Sequence, residues 1–321
     1  MHLPRRGLIA ASLGLAAPAL AQEAYPSRPV TVIVPWGPGG PTDAFARVLS
    51  QRLSADLGQP FPVDNRVGAN GTIGMAVAAR ARPDGYTVVI APNSTYAVAP
   101  HLYQLPYNTE RDFVGVGLLV SMPIFMLVHR SSPATTVAEY VALARRPNAR
   151  LTYANASVGA TSHLATEMLL QSAGIEVLEV GYRGGGPAVQ AVVAGEAGMV
   201  FMPAAAVMGF INSGELRALG VASATRSPLA PNVPTFREQG FPDVEIVEHV
   251  AMLAPAGTPP AILERLNAAS RAALRAPDIQ PRLDALAVTA ETRPLAEWGA
   301  YASAESAKWG AVVRSRNIRI Q

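Results

Sequence analysis

Four short segments gather the residues of this chain whose types and spacing could do chemistry. The first, Pro35-Trp36-Gly37-Pro38-Gly39-Gly40-Pro41-Thr42-Asp43, follows an apolar β-branched run and precedes a helical pattern. At such a junction the exposed backbone N–H groups and the helix dipole favour an anion. Glycine lets the backbone approach a ligand closely. No Gly-Lys-Ser/Thr follows and the spacing does not fit G-x-G-x-x-G, so this is neither a Walker loop nor a dinucleotide fingerprint. Without lysine it suits a carboxylate better than a triphosphate. Trp36, Gly39, Gly40, Pro41, Thr42 and Asp43 are its candidate contacts. The same stretch reads equally as a tight strand–helix turn, with Thr42 or Asp43 capping the helix and Trp36 covering a hinge.

Three more segments occupy equivalent places, each just after a predicted strand. Asn93-Ser94-Thr95 is one, and Asn155-Ala156-Ser157-Val158-Gly159-Ala160-Thr161-Ser162-His163 is the next. Tyr182-Arg183-Gly184-Gly185-Gly186-Pro187 is the last. Ligands of open α/β sheets bind outside the carboxyl ends of the strands, so four such loops would face one cleft. Ser94, Thr95, Asn155, Ala156, Ser157, Thr161, Ser162, Tyr182, Arg183 and Gly184 join the candidates. Arg183 could pair with a ligand carboxylate or stand solvated. His163, in a first helical turn, reads as a hydrogen-bonded residue of the cap region.

Catalytic patterns are missing. The sequence has no G-x-S-x-G, no H-E-x-x-H and no cysteine. His101, His129 and His249 are scattered without metal-ligand spacing. Glu245 and Glu248 lie three apart in a predicted strand and should point to opposite faces, a poor acid–base pair. No catalytic residue, metal or cofactor is therefore assigned. An exported hydrolase using Ser162 or His163 is the enzyme alternative.

The elements that would position these loops follow from hydrophobic periodicity. The chain has 321 residues, 50% hydrophobic and 15% charged, enough for about two domains and a large core. Short apolar runs alternate with helical patterns, which predicts βαβ units around largely parallel sheets. Strands are expected at 30–34, 62–65, 86–91, 151–154, 177–180, 199–201 and 216–221. Helices are expected at about 42–57, 73–82, 162–173, 187–194, 260–276, 279–286 and 295–313. The apolar stretch 113–129 holds Gly115, Gly117 and Pro123, and is read as two strands passing between domains. A second crossing spans 245–254. Two crossings imply a hinged clamshell, with hinges at 118–126 and 248–253. One lobe is formed by 22–122 with 248–321, and the other by 123–247.

Residues 1–21 read as a secretory signal: Arg5-Arg6, an apolar run from Leu8 to Leu20, and Ala19-Leu20-Ala21 as the cleavage site. The arginine pair permits the twin-arginine or the general secretory route. The apolar run is too short for a membrane span. With no cysteine, neither a lipid nor a disulfide is available, so a soluble periplasmic protein is expected. The formal charge is only +3, two of the cations sit in the leader, and no basic cluster follows. Nucleic acid is not an expected partner.

Taken together, the motifs resemble the tripartite tricarboxylate transporter substrate-binding proteins, or Bug family. The anchors run over essentially the whole mature chain. They include Tyr25-Pro26-Ser27-Arg28-Pro29, the Val34 to Asp43 loop, Asp64-Asn65-Arg66-Val67-Gly68-Ala69-Asn70-Gly71-Thr72-Ile73-Gly74 and Pro83-Asp84-Gly85-Tyr86-Thr87. Later anchors are Gly181-Tyr182-Arg183-Gly184, Gly214-Glu215-Leu216-Arg217-Ala218-Leu219 and Leu253-Ala254-Pro255-Ala256-Gly257-Thr258-Pro259.

The resemblance implies a type II periplasmic-binding fold, in which two α/β lobes joined by two hinge crossings close on a small carboxylate. First-lobe loops would hold one carboxylate and second-lobe loops would meet the other end of the ligand. A monomer that docks on a membrane permease is implied, with a membrane sensor kinase as the alternative partner. Met202 stands where relatives often carry aspartate, Gly198 where Asp is frequent, and Arg183 where Lys is common. Losing that carboxylate at Met202 argues against an amino-group ligand and favours a more apolar or doubly anionic one.

Overall fold

Thr31-Val32-Ile33-Val34 are all β-branched and form the first strand, β1 (Thr31–Val34), buried along nearly its whole length. A strand covered on both faces reads as continuous apolar sequence rather than as alternation. The computed structural model describes residues 25–291, 294–315 and 317–319, so the leader read at 1–21 lies outside the described residues.

In chain order the first elements are α1 (Pro41–Leu57), β2 (Val63–Asn65), α2 (Thr72–Ala79) and β3 (Thr87–Pro92). A wide helical turn, Ser94–Val98, follows, and then α3 (Thr109–Asp112) and β4 (Phe113–His129). Next come α4 (Val137–Ala144), β5 (Thr152–Asn155), α5 (Thr161–Ala173), β6 (Leu178–Gly181), α6 (Gly185–Val193), β7 (Met199–Pro203), α7 (Ala204–Asn212) and β8 (Leu216–Val221). The chain ends with β9 (Val247–Pro255), α8 (Pro260–Arg275), α9 (Gln280–Ala285), β10 (Thr289–Ala290) and α10 (Trp298–Ser315).

One hydrogen-bonded path runs β2-β1-β3-β9-β4-β7-β5-β6, with β8 and β10 attached to β4. β1 pairs in parallel with β2 and β3, and β9 runs antiparallel between β3 and β4. In the other sheet, β5 lies parallel to β6 and β7. The result is a two-lobed α/β molecule.

The stretch 113–129 departs from expectation, because it is one 17-residue strand rather than two. Phe113 to Pro123 pairs with β9, and Ile124 to Val128 pairs with β7. Register shifts between Gly115 and Gly117, and between Leu118 and Val120, bend the strand without ending it. The glycines that made it look broken are required by packing. A Cβ at Gly115 would fall within the Trp298 indole, and one at Gly117 would fall 2.6 Å from the Asn267 amide nitrogen. That amide donates to the Val116 carbonyl at 2.8 Å and satisfies the bulge.

Other differences are local. The predicted crossing at 245–254 starts later, so Glu245 lies outside β9 and accepts from Arg237 at 2.9 Å. Helices α4 and α7 had no sequence prediction. A signal for α4 was present, because Thr136 accepts from the Glu139 amide while Glu139 accepts from the Thr135 amide. α7 starts without a side-chain cap inside an apolar run, which hides its boundary.

The core lies in three buried clusters. One, including Val32, Phe45, Leu49 and Leu266, sits under α1 and α8 in the first lobe. Another, including Phe125, Val200 and Val207, is confined to the second lobe. The third runs through both, from Val89 and Ala97 to Met126, Phe201 and Trp309.

Candidate functional site

Both lobes deliver polar loops to one seam by the same route, from a strand's carboxyl end to the start of a helix. In the first lobe β1 runs into the glycine loop, where Gly39 takes φ +78°, a conformation that favours glycine. Gly40 is the N-cap of α1 and Pro41 opens the helix, with no side-chain hydrogen bond at the cap. Neither Thr42 nor Asp43 caps the helix, so the first-turn N–H groups are not tied up by a cap side chain.

Asp43 instead braces the loop from behind. Its carboxylate accepts from the Gly39 amide, the Arg47 guanidinium and the Asn65 amide, each at 2.9 Å. The same Asn65 nitrogen donates to the Trp36 carbonyl at 2.9 Å. Burial alone would oppose its ionisation. The hydrogen bonds from Arg47, Gly39 and Asn65 outweigh that and hold the carboxyl below its ordinary range.

Trp36 and Thr95 form a second brace. The indole N–H donates to the Thr95 hydroxyl at 2.9 Å, which donates to the Asn70 carbonyl at 3.1 Å. Ser94, beside it, is 1% exposed and its hydroxyl has no protein partner.

Asn70 was not among the predicted contacts, yet it joins the lobes. Its amide nitrogen donates to the carbonyls of Ser94 and Gly159, both at 3.2 Å, while its amide oxygen is buried without a protein partner. Asn70 sits at φ +52°, just before Gly71 at φ +85°. The Asn-Gly pair after β2, on the same sheet edge, was the available sequence signal.

In the second lobe, Asn155 accepts from the Ser157 amide at 3.0 Å and donates to Glu179 at 2.7 Å. The 182–184 loop is tied to this one, because the Tyr182 and Gly184 amides donate to the carbonyls of Asn155 and Ala156. α5 starts at Thr161 after Ala160, again without a side-chain cap. Thr161 donates to Asn93 across the seam at 3.5 Å. Ala156, Ser162 and Met202 are buried, Arg183 is exposed, and Ser157, Tyr182 and Gly184 are intermediate. The Met202 sulfur lies 3.2 Å from where a Gly185 Cβ would sit, so it floors the start of α6.

His163 is occupied. Its Nδ1 accepts from the Gly159 amide at 3.2 Å, which places the neutral ring's proton on Nε2, 3.8 Å from Glu167. Burial pushes its pKa down, partly offset by Glu167 and Glu179. A ring held this way is not a general base for Ser162. Two surface cavities of about 530 Å³ share no residue with the predicted set. Among the described residues, no group of three metal-ligating side chains occurs and no helix is long and apolar enough to cross a membrane.

Paired α/β lobes whose loops and uncapped helices meet across a buried polar seam define a solute-binding protein. The family model for the tripartite tricarboxylate transporter family receptor matches residues 45–318, and the chain belongs to that family. It is 32% identical over 317 residues to the protein BugT of Bordetella pertussis, covering 98% of this chain and 97% of that one. Among solved structures, it is similar to Rpa4515 of Rhodopseudomonas palustris with adipate, at 32% identity and TM-score 0.87, covering 92% of this chain and 99% of the other. It is likewise similar to MatC of the same organism with bound malate, at 32% identity and TM-score 0.83, covering 90% and 100%. Receptors of this family are periplasmic and bind solutes rather than transform them.

Proposed function

We propose that this chain is exported to the periplasm, captures a small carboxylate between its lobes and delivers it to a tripartite membrane permease. The observation that carries the reading is the Ser94 hydroxyl, buried at the seam without a protein partner between two uncapped helix starts. Hydroxyl and N–H donors in a desolvated seam replace the hydration a carboxylate loses on capture. Relatives solved with adipate and malate support that ligand class.

In this reading the Thr42 amide and hydroxyl at the start of α1, together with Ser94, hold one carboxylate, on a loop shaped by Gly39 and Gly40. Thr161, Ser162, Tyr182 and Arg183 meet the other end, over an apolar floor at Met202. Asp43, Thr95 and Asn155 position the loops. The moving bodies are 22–122 with 248–321 against 123–247, pivoting on β4 and β9. The leader at 1–21 is removed after Ala21.

A thermal-shift screen of refolded mature protein tests the proposal, using aliphatic dicarboxylates, tricarboxylates, aromatic carboxylates and amino acids. A ligand at about 100 times its Kd should add ~2.7 kcal/mol, a shift of a few degrees. Ser94→Ala should abolish most of that shift. A panel in which no carboxylate shifts the protein would sink the reading.

A further inference from the structure

Glu248 is a carboxyl set where the lobes meet, and the receptor chemistry described so far does not use it. It lies on the hinge strand β9, opposite Met122 of β4, and is only 8% exposed. Its carboxyl lies near the side chain of Thr161, the first residue of α5 in the second lobe. That same hydroxyl reaches Asn93 of the first lobe, and Asn93 donates to the β9 carbonyl of Val247 at 3.2 Å. Glu248, Thr161 and Asn93 thus tie hinge, second lobe and first lobe together, one residue from the unpartnered Ser94.

Nothing cationic balances this carboxyl. No ion pair reaches Glu248 among the described residues. Tyr96 of the Ser94–Val98 turn feels its charge; Tyr301 and Glu305 of α10 and His249, next along β9, join the same cluster through Tyr96 and Asn93, and His163 lies two residues beyond Thr161 on α5. Tyr96 is kept neutral by burial, with Tyr301, Glu305 and Glu248 adding to the effect. Glu305 accepts from Asn93 at 3.2 Å and from Trp309 at 2.8 Å, while Tyr301 engages both Tyr96 and His249. His163 is neutral, as described. An incoming ligand carboxylate therefore meets a second carboxyl in a dry seam. Two carboxylates in such a place do not both stay ionised.

We propose that Glu248 makes capture proton-linked: an anionic carboxylate is held with Glu248 as the neutral acid, and an ionised Glu248 opposes it. The proton comes from bulk buffer, and no covalent bond changes. This rests on the carboxylate-receptor reading above. Burial pushes the Glu248 carboxyl up to about 7, against the lowering effect of Thr161, so the switch falls in the range a periplasmic protein meets.

The test uses adipate and malate as probes, with titration calorimetry in two buffers of different protonation enthalpy. Wild type should take up close to one proton per adipate at about pH 8.5, and Kd should rise roughly tenfold between pH 7.5 and 8.5. E248Q, neutral at every pH, should lose the slope and bind at pH 8.5 as wild type does near pH 6.5. Should E248Q fail to fold, the two-buffer measurement on wild type decides alone.

PH-independent binding without proton uptake overturns the proposal and leaves the receptor reading standing. So would aspartate binding that tightens as pH rises, since Glu248 would then be an ionised partner for an ammonium group. If neither probe binds at any pH, the proposal falls together with the dicarboxylate reading.

Discussion

The two lobes present the same device, a strand feeding a polar loop into an uncapped helix, but brace it with different chemistry. Behind the first loop stands an ionised carboxylate, Asp43, with a cation and two amide donors on it. Behind the second stand a neutral amide, Asn155, and a neutral imidazole, His163. The first brace is built from its own lobe and keeps its shape without the partner lobe. The second loop meets the first lobe directly, through the Gly159 carbonyl on Asn70 and Thr161 on Asn93. In the proposed receptor, the first loop is a fixed cradle and the second is the part whose position follows closure.

Removing the charged brace should have the largest effect. Asp43→Ala leaves the Gly39 amide, Arg47 and Asn65 without their acceptor, with an expected stability loss of about 2–3 kcal/mol by denaturant unfolding. Binding should weaken with it, and Asp43→Asn should recover part of both. If Asp43→Ala melts like wild type, the fixed-cradle account is wrong.

A second comparison separates cradle from closure. Gly39 and Gly159 have nearly the same positive φ, so alanine at either should destabilise by about 1 kcal/mol. Around Gly39 there is open space for a Cβ, whereas at Gly159 it would press on Leu102 and come within 3.3 Å of the Asn70 amide. Gly159→Ala should therefore weaken ligand binding more than Gly39→Ala at equal stability, measured as Kd beside melting temperature. Equal losses of affinity would erase the distinction between the loops.

The smallest effect is in pH. Burial holds the folded-state pKa of His163 below its unfolded value near 6.5, so its stability contribution is present above that value and lost as pH falls through the folded pKa. Asp43, also depressed, acts in the same direction but below about pH 4. Melting from pH 7 to 5 should therefore lower wild type relative to His163→Gln, while Asp43→Asn tracks wild type over that window. A His163→Gln protein with an unchanged slope would refute the neutral-imidazole assignment.

Much of this was readable beforehand where local signals agree. β1 announces itself through four β-branched residues, and α1 through its apolar spacing between Gly40 and Gly58. The loops were found because strand ends, glycines and hydroxyls are local facts. Whether a side chain turns toward the cleft or away from it is not one. Asp43, Thr95 and Asn155 are of the right type for ligand contacts, and each is also hydrogen-bonded within the protein: Asp43 to Gly39, Arg47 and Asn65, Thr95 to Trp36 and Asn70, Asn155 to Ser157 and Glu179. Asn70 stood only within a family anchor, and only tertiary packing sets it against Gly159, distant in sequence. The long strand β4 misled because glycines inside an apolar run signal a break unless Trp298 and Asn267 are known to fill the space.

By itself, then, the sequence determined the α/β class, the alternation of strand and helix, the four polar loops and the family. These depend on periodicity and on residues close along the chain. The tertiary structure alone decided that one strand serves both sheets and which polar groups hydrogen-bond to one another within the loops. It also decided that Glu248 is buried where the lobes meet instead of standing as an unremarkable strand residue. Those outcomes depend on burial and on partners far apart in sequence, and desolvation has no local signature in the chain.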